Sequence, residues 1–117
     1  MVEAQNIKNI DQFADKSLLI VDDDNPFRER LARAMEKKGF TVSQAESVKN
    51  GITLVKQKKP AFAVVDLRLG DGNGLQVVKE IQTSNSESRV IMLTGYGNIP
   101  TAVAAIKEGA IDYLAKP

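Results

Sequence analysis

Short apolar runs alternate along the chain with longer stretches in which apolar residues recur at helical spacing. The runs are short enough for buried strands and cover residues 17–21, 40–45, 61–65, 89–93 and 110–114. The helical stretches start near Pro26, Ser47, Leu75 and Pro100. Strands and helices that alternate in this way predict a parallel sheet with helices on both of its faces.

Turn and capping residues mark the ends of the predicted helices. Asn25 is the expected N-cap of the first helix, and Asp24 adds a negative charge that the helix dipole favours there. Gly39 follows the basic end of the same helix, as a C-terminal stop signal does. Ser47 is suited to cap the second helix, and Asp71 in a glycine-rich stretch is typical of a turn. We expect the first helix to bury an apolar face made of Phe27, Leu31, Ala34 and Met35.

Composition narrows the chemistry that is open to the chain. Its 117 residues, 43% of them hydrophobic and 26% charged, suit one globular domain preceded by a polar tail at residues 1–16. No apolar run approaches the roughly 20 residues of a membrane span, and the net charge of +1 argues against a dedicated nucleic-acid module. Because the chain has neither Cys nor His, carboxylates, lysines, hydroxyls and backbone groups must carry any chemistry.

Polar residues that could carry chemistry follow the predicted strands at the point where each strand ends. Asp22 and Asp23 follow the first strand and Asp66 follows the third, while Thr94 and Lys116 follow the fourth and fifth. Ligands of open α/β sheets bind at this carboxyl edge. Adjacent carboxylates repel and raise each other's pKa, and a bound Mg²⁺, which prefers oxygen ligands, would relieve that repulsion. The sequence therefore predicts a magnesium site at this edge of the sheet.

Four stretches of sequence carry a family resemblance: LLIVDDD, AVVDLRLGDGNGL, VIMLTGYG and AIDYLAKP. Together they resemble the receiver domain of two-component response regulators. The longer string DLRLGDGNGL…LTGYGNI…TAVAAIKEGAIDYLAKP is similar to the redox-responsive global regulators of the RegA type. The resemblance implies an α/β fold of the flavodoxin-like (CheY-like) kind, a doubly wound five-stranded parallel sheet with strand order 2-1-3-4-5. It places the receiver domain at residues 17–117 and implies that it is truncated before the family's fifth helix.

The resemblance also implies roles for the residues at the strand ends. Asp66 matches the aspartate that accepts a phosphoryl group as an acyl phosphate. Asp22 and Asp23 match the acidic pair that holds Mg²⁺ together with Asp66 and the backbone carbonyl of Arg68. In this pair Asp23 is the direct ligand, and Asp22 acts mainly through a metal-bound water. Lys116 matches the lysine that pairs with the phosphoacceptor and then with the phosphoryl oxygens.

A second group of residues matches positions that shape the activated state. Thr94 matches the catalytic and switch hydroxyl, which reaches the phosphoryl group once the loop after the fourth strand moves inward. Gly95 leaves room for that approach, and Tyr113 matches the aromatic side chain that fills the space vacated by Thr94. Arg68 and Tyr96 lie at the rim of the site, where we expect their bulk to slow hydrolysis of the phosphoaspartate.

The partners that the resemblance implies are those of a cytoplasmic signalling switch. A sensor histidine kinase would donate the phosphoryl group, and small donors such as acetyl phosphate could replace it. The domain would catalyse only its own phosphorylation and dephosphorylation, so it is not an enzyme in the usual sense. A homodimer is a further partner that the resemblance allows, and no membrane partner is expected. Contact with DNA is expected only through a C-terminal helix-turn-helix output domain of the Fis type, which these residues do not include.

Three other kinds of protein share parts of this pattern. A Mg²⁺-dependent aspartate phosphatase of the haloacid-dehalogenase kind needs a second Asp two residues after its nucleophile, where this chain has Arg68. A flavodoxin-like nucleotide or flavin binder needs a phosphate-cradling loop after the first strand, where residues 22–24 would repel an anion unless a metal intervened. A pseudo-receiver that only mediates contacts is the third alternative, and the complete set of site residues argues against it.

Overall fold

The computed structural model describes residues 14–94 and 112–116. The strands of the main sheet in this part of the chain are β1 (Ser17–Val21), β2 (Thr41–Ala45), β3 (Phe62–Asp66), β4 (Arg89–Thr94) and β5 (Asp112–Ala115). The helices are α1 (Asn25–Lys37), α2 (Val48–Lys58) and α3 (Gly74–Ser84). Between β3 and α3, Arg68–Leu69 and Gly72–Asn73 form a short antiparallel hairpin.

All neighbouring strands of the main sheet run parallel, in the order β2-β1-β3-β4-β5. The predicted five-stranded parallel sheet with strand order 2-1-3-4-5 is therefore confirmed. Val21 at the end of β1 lies opposite Ala45 of β2 and Val65 of β3. The strand order reverses between β1 and β3, and in sheets of this kind that reversal is where ligands bind.

Within the described residues, helices cover both faces of the sheet. Alternate residues of β1 point to opposite faces: Leu19 and Val21 pack in the core cluster that includes α2 and α3, whereas Leu18 and Ile20 pack with α1. All four side chains are buried, and burying an aliphatic side chain of this size stabilises the fold by about 1.5–3 kcal/mol. β1 is thereby fixed from both sides, and the residues that follow it start from a rigid position.

The N-terminus of α1 differs from the predicted one. Asp24, not Asn25, is the N-cap, because its backbone is extended and its carboxylate accepts a hydrogen bond of 3.1 Å from the amide of Phe27. The prediction of Asn25 as N-cap was wrong, and Asn25 is the first helical residue. The physical reason is a hydrogen bond of 2.9 Å that Asp22 Oδ1 accepts from the Asp24 amide. This bond holds Asp24 in the extended conformation of a cap.

The buried face of α1 also differs from the predicted apolar stripe. Leu31 and Met35 pack against the sheet as expected, but Ala34 is exposed and Ala32 is buried in its place. Arg28 is buried as well, with only 9% of its surface exposed. Apolar periodicity could not indicate this position, because the pattern assigns every charged residue to the solvent face.

Candidate functional site

Three carboxylates converge where β1 and β3 end. Asp22 and Asp23 follow β1, Asp66 is the last residue of β3, and one carboxylate oxygen from each lies within 4.8 Å of the others. Asp22 and Asp66 are buried, at 1% and 6% exposure, whereas Asp23 is exposed. The structure thus brings together the three side chains that the sequence places at one edge of the sheet.

Asp22 has a hydrogen-bond partner at every polar group. Its amide donates to the carbonyl of Ala45 at 3.0 Å, and its carbonyl accepts from Arg28 Nη1 at 2.8 Å. Of its carboxylate oxygens, Oδ1 accepts from the amide of Asp24 and Oδ2 from Lys116 Nζ, both at 2.9 Å. This network fixes both the backbone and the side chain of Asp22.

The surroundings of Asp66 are less favourable to a negative charge than those of Asp22. Burial is the main cause that raises the pKa of the Asp66 carboxyl group to about 6, and the negative charge of Asp22 adds to it. The positive charge of Lys116 lowers the pKa, and the negative charge of Asp23 raises it. The sum leaves a carboxylate whose negative charge is only partly offset by its surroundings.

Lys116 lies between the two buried carboxylates. Its Nζ is 2.9 Å from Asp22 Oδ2, 3.9 Å from Asp66 Oδ2 and 4.7 Å from the ring centroid of Phe27. Burial disfavours its charge, but the hydrogen bond and charge of Asp22, together with the charges of Asp66 and Asp24, outweigh burial and raise the pKa of Lys116. The family resemblance pairs Lys116 with Asp66, whereas its shorter contact here is with Asp22.

The backbone around Asp66 is fixed by an unusually close approach of α3. The amide of Leu67 donates to the carbonyl of Leu93 at 2.8 Å, and the amide of Gly74 donates to the carbonyl of Leu67 at 2.7 Å. A Cβ atom on Gly74 would lie 2.1 Å from the carbonyl oxygen of Asp66. Only glycine allows α3 to begin this close to the end of β3.

Asp71 does more than form a turn. Its carboxylate accepts hydrogen bonds from the amides of Val48 and Lys49, at 2.8 and 3.1 Å, and so joins the Ser47 side chain in capping α2. The hydrogen bond from Val48, followed by that from Lys49, lowers the pKa of Asp71. The segment after Asp66 is thereby tied to a neighbouring helix. A local sequence pattern could not predict this, because the bonded residues are more than twenty positions apart.

The remaining predicted site residues are only partly covered by the described residues. Arg68 has an exposed side chain and lies in the hairpin after β3. For Thr94 and Tyr113 the structure describes the backbone alone, in β4 and β5. Gly95, Tyr96 and the predicted helix at 100–108 lie outside the described residues. The roles of all these residues stay predictions.

The three carboxylates suit a small hard cation. Mg²⁺ binds oxygen ligands octahedrally at about 2.0–2.1 Å, so that adjacent ligand oxygens lie roughly 3 Å apart and opposite ones roughly 4 Å apart. One carboxylate oxygen from each of the three residues lies within 4.8 Å of the others, which is close to that spacing. A divalent cation would also offset the repulsion from Asp22 and Asp23 that contributes to the raised pKa of Asp66.

Comparison with known proteins identifies the family of this fold and site. Residues 18–117 match the family described as response regulator receiver domain. The chain belongs to this family. Receiver domains are regulatory modules of two-component systems rather than classical enzymes, and they hold a divalent cation at a cluster of aspartates such as Asp22, Asp23 and Asp66.

Relatives of this receiver domain include regulators of the RegA type. The photosynthetic apparatus regulatory protein RegA of Rhodobacter capsulatus is 59% identical over 104 residues, covering 89% of this chain and 56% of that protein. The acid tolerance regulatory protein ActR of Sinorhizobium medicae is 62% identical over 103 residues, covering 88% of this chain and 53% of that protein. The predicted resemblance to RegA-type regulators is confirmed, and the chain spans about half the length of these relatives.

Solved receiver structures share the fold. A response regulator from Burkholderia pseudomallei, with a phosphorylated aspartic acid, a calcium ion and citrate, matches with a TM-score of 0.84 and 41% identity, covering 88% of this chain and 61% of its own. A CheY-like receiver domain from Methanospirillum hungatei matches with a TM-score of 0.84 and 27% identity, covering 89% of this chain and 83% of its own. Among the described residues of this receiver domain, no helix is both long and apolar enough to span a bilayer.

Proposed function

We propose that this receiver domain accepts a phosphoryl group on Asp66 from a sensor histidine kinase, with Mg²⁺ held by Asp22, Asp23, Asp66 and the backbone carbonyl of Arg68. One observation carries the proposal: in a chain of this family, three carboxylates and the amino group of Lys116 converge at the carboxyl edge of β1 and β3. The phosphorylated aspartate in the Burkholderia pseudomallei regulator supports it by analogy.

Asp66 is the nucleophile in this proposal. One of its carboxylate oxygens attacks phosphorus in line, the bond from phosphorus to the donor breaks, and the bonding electron pair leaves with the donor atom. A carboxyl group with a pKa of about 6 is largely ionised at neutral pH, as a nucleophile requires. Lys116, whose Nζ lies 3.9 Å from Asp66 Oδ2, would contact the oxygens of the transferred group. Mg²⁺ at the site would supply positive charge that offsets the charge on those oxygens.

The consequence of phosphorylation is a change in a binding surface. Thr94 would turn its hydroxyl toward the phosphoryl group past Gly95, and Tyr113 would fill the space left behind. The segment 94–108 would then shift between two arrangements. Arg68 and Tyr96 at the rim would slow hydrolysis of the acyl phosphate by hindering the attacking water.

The wider role follows from the relatives. We propose that residues 17–117 form the receiver domain of a cytoplasmic transcription regulator, that residues 1–16 are a tail, and that a C-terminal output domain binds DNA. RegA and ActR are both named as regulatory proteins, which supports a regulatory role, and the length of both proteins leaves room for such a domain. Homodimerisation on phosphorylation is the expected link between the two domains.

Acetyl phosphate tests the phosphoryl transfer directly. With Mg²⁺, the wild-type domain should gain the mass of one phosphoryl group, and hydroxylamine should remove it, as it does other acyl phosphates. Asp66→Asn should show no gain, while Asp15→Asn, which alters an exposed aspartate before β1, should behave as wild type. An unchanged mass gain in Asp66→Asn contradicts the proposal, and steady turnover of a phosphate monoester would favour the phosphatase alternative.

A further inference from the structure

Arg28 is a buried cation whose partners are all neutral. Its Nη1 donates to the carbonyl of Asp22 at 2.8 Å and to Asn25 Oδ1 at 2.6 Å, and its Nε donates to Gln44 Oε1 at 3.0 Å. Within the described residues, Arg28 forms no ion pair with a carboxylate. Burying a charge without an opposite charge is unfavourable, so the position calls for a reason beyond packing.

The contact with Asp22 indicates that reason. The carbonyl that Arg28 holds belongs to the peptide unit that joins Asp22 to Asp23, and the orientation of this unit sets the direction of the Asp23 side chain. Asp22 itself is also fixed by its amide and both carboxylate oxygens. The carboxylate of Asp23, in contrast, is exposed and accepts no hydrogen bond from any described residue. Its position therefore depends on its backbone.

Arg28 is itself held at both ends of its guanidinium group. Asn25 lies one turn earlier on α1, and Gln44 lies on β2, which pairs with β1. The planar fork of arginine suits this arrangement because it donates in several fixed directions at once, which the single ammonium group of lysine does not do. Arg28 thus joins α1 and β2 to the peptide between the two predicted metal ligands.

We propose that Arg28 is a positioning residue that orients Asp23 for cation binding by holding the carbonyl of Asp22. The proposal deepens the proposed function and rests on it in one respect, namely that the cation at the three carboxylates is Mg²⁺. It adds a residue on α1 to the site and makes β2, through Gln44, part of the support for the metal.

The direction in which Mg²⁺ affinity changes when Arg28 is replaced distinguishes a positioning role from a purely electrostatic one. A positive charge beside a cation site weakens cation binding, so removing it as a charge alone should tighten Mg²⁺ binding. Removing a group that orients a ligand should weaken it, by about 10–100-fold for a typical outer-shell partner. We expect the orientation effect to be the larger one, because the hydrogen bond acts directly on the backbone that carries Asp23.

Calorimetric titration of the metal-free domain with Mg²⁺, at a temperature well below unfolding, provides the test. Arg28→Met should raise the dissociation constant about tenfold. Arg28→Lys can still donate one hydrogen bond to the Asp22 carbonyl but loses the fork, so it should raise the dissociation constant by a smaller factor. Gln44→Met, an exposed position that should not disturb folding, should also raise it. Arg33→Met and Arg33→Lys are matched controls at an exposed arginine of α1 and should bind as wild type.

A second measurement needs no metal. Hydrogen exchange of the Asp22 and Asp24 amides, which are hydrogen-bonded in this loop, should be faster in Arg28→Lys than in Arg33→Lys. Mg²⁺ binding by Arg28→Met that is equal to or tighter than wild type overturns the positioning role. If Arg28→Met does not fold, the positioning role is overturned when Arg28→Lys and Gln44→Met both bind Mg²⁺ with wild-type affinity.

The two proposals fail in different ways. A wild-type domain that binds no Mg²⁺ contradicts the metal site of the proposed function. The exchange comparison then tests only whether Arg28 holds the backbone before Asp23. A wild-type domain that binds Mg²⁺ as tightly as every Arg28 and Gln44 variant leaves the proposed function standing and removes Arg28 from it.

Discussion

Asp22 and Asp66 are buried carboxylates at the ends of neighbouring strands, and the chain holds them by different means. Asp22 is fixed by hydrogen bonds at its amide, its carbonyl and both carboxylate oxygens. Asp66 is fixed mainly through its backbone, by the close approach of Gly74, while its carboxylate faces Asp22 and Asp23 with Lys116 3.9 Å away. One carboxylate is part of the framework, and the other keeps an unbalanced negative charge that favours a cation.

The largest effect should come from disturbing the backbone at the Asp66 end. Gly74→Ala places a Cβ 2.1 Å from the carbonyl oxygen of Asp66, so that β3 or α3 must shift. We expect the free energy of unfolding to fall by about 3 kcal/mol, measured by urea denaturation. Gly70→Ala is the matched control, because nothing lies within 4 Å of its added Cβ. Equal stability of the two variants would show that the close approach is not needed.

Neutralising the two carboxylates should affect stability unequally. In the metal-free domain at neutral pH, Asp66→Asn removes a charge that burial disfavours and should stabilise the fold. Asp22→Asn relieves the same repulsion but weakens the ion pair with Lys116, so it should leave the protein less stable than Asp66→Asn by about 1–2 kcal/mol. Thermal unfolding in the presence of EDTA measures the stability of both variants. An Asp22→Asn variant at least as stable as Asp66→Asn contradicts the comparison.

The pH dependence of the unfolding free energy should reveal the titration of the Asp66 carboxyl group. Its pKa is 3.8 as an ordinary carboxyl group and about 6 in the folded protein, so the unfolded chain releases this proton first as pH rises. The stabilisation from Asp66 is therefore complete below its unfolded pKa and is lost as pH rises through about 6, a change of roughly 1–3 kcal/mol. The difference in unfolding free energy between metal-free wild type and Asp66→Asn should follow this curve. A difference that is constant from about pH 4 to pH 7 would falsify the raised pKa.

The smallest effect concerns Lys116, the cation shared by the two carboxylates. Its Nζ lies 2.9 Å from a carboxylate oxygen of Asp22, and Asp22 is one of the predicted metal ligands, so the lysine and Mg²⁺ compete for the same negative charge. Lys116→Met should lower the dissociation constant for Mg²⁺ by roughly threefold to tenfold. Lys79→Met, at an exposed lysine of α3, is the charge-matched control. Weaker Mg²⁺ binding in Lys116→Met would mean that Lys116 supports the metal site rather than competing with it.

Local signals in the sequence predicted most of the described fold. Ser47 caps α2, and Gly39 after α1 has a positive φ of 104°, as its position at a helix end suggests. Strand ends placed Asp22, Asp23 and Asp66 at one edge because carboxyl ends of parallel strands meet there. These predictions succeeded because each depends on neighbouring residues or on a rule of sheet topology.

The predictions that failed or were missed depend on where the tertiary structure holds particular side chains. Asp24 rather than Asn25 caps α1 because Asp22, held at the sheet edge, binds the amide of Asp24. Asp71 caps a helix more than twenty residues away. Arg28 is buried because the sheet edge presents neutral acceptors to it, and helical periodicity contains no information about such acceptors.

The sequence by itself determined the alternation of strands and helices, the family, and the identity of the charged groups at the carboxyl edge of the sheet. Only the tertiary structure decided how those charges are shared. It gave Lys116 its shorter contact with Asp22, left Asp66 with a raised pKa, and brought Arg28 to the peptide before Asp23. The reason is that electrostatic and hydrogen-bond energies depend on distances of a few ångströms and on burial, and packing between separate strands and helices sets both.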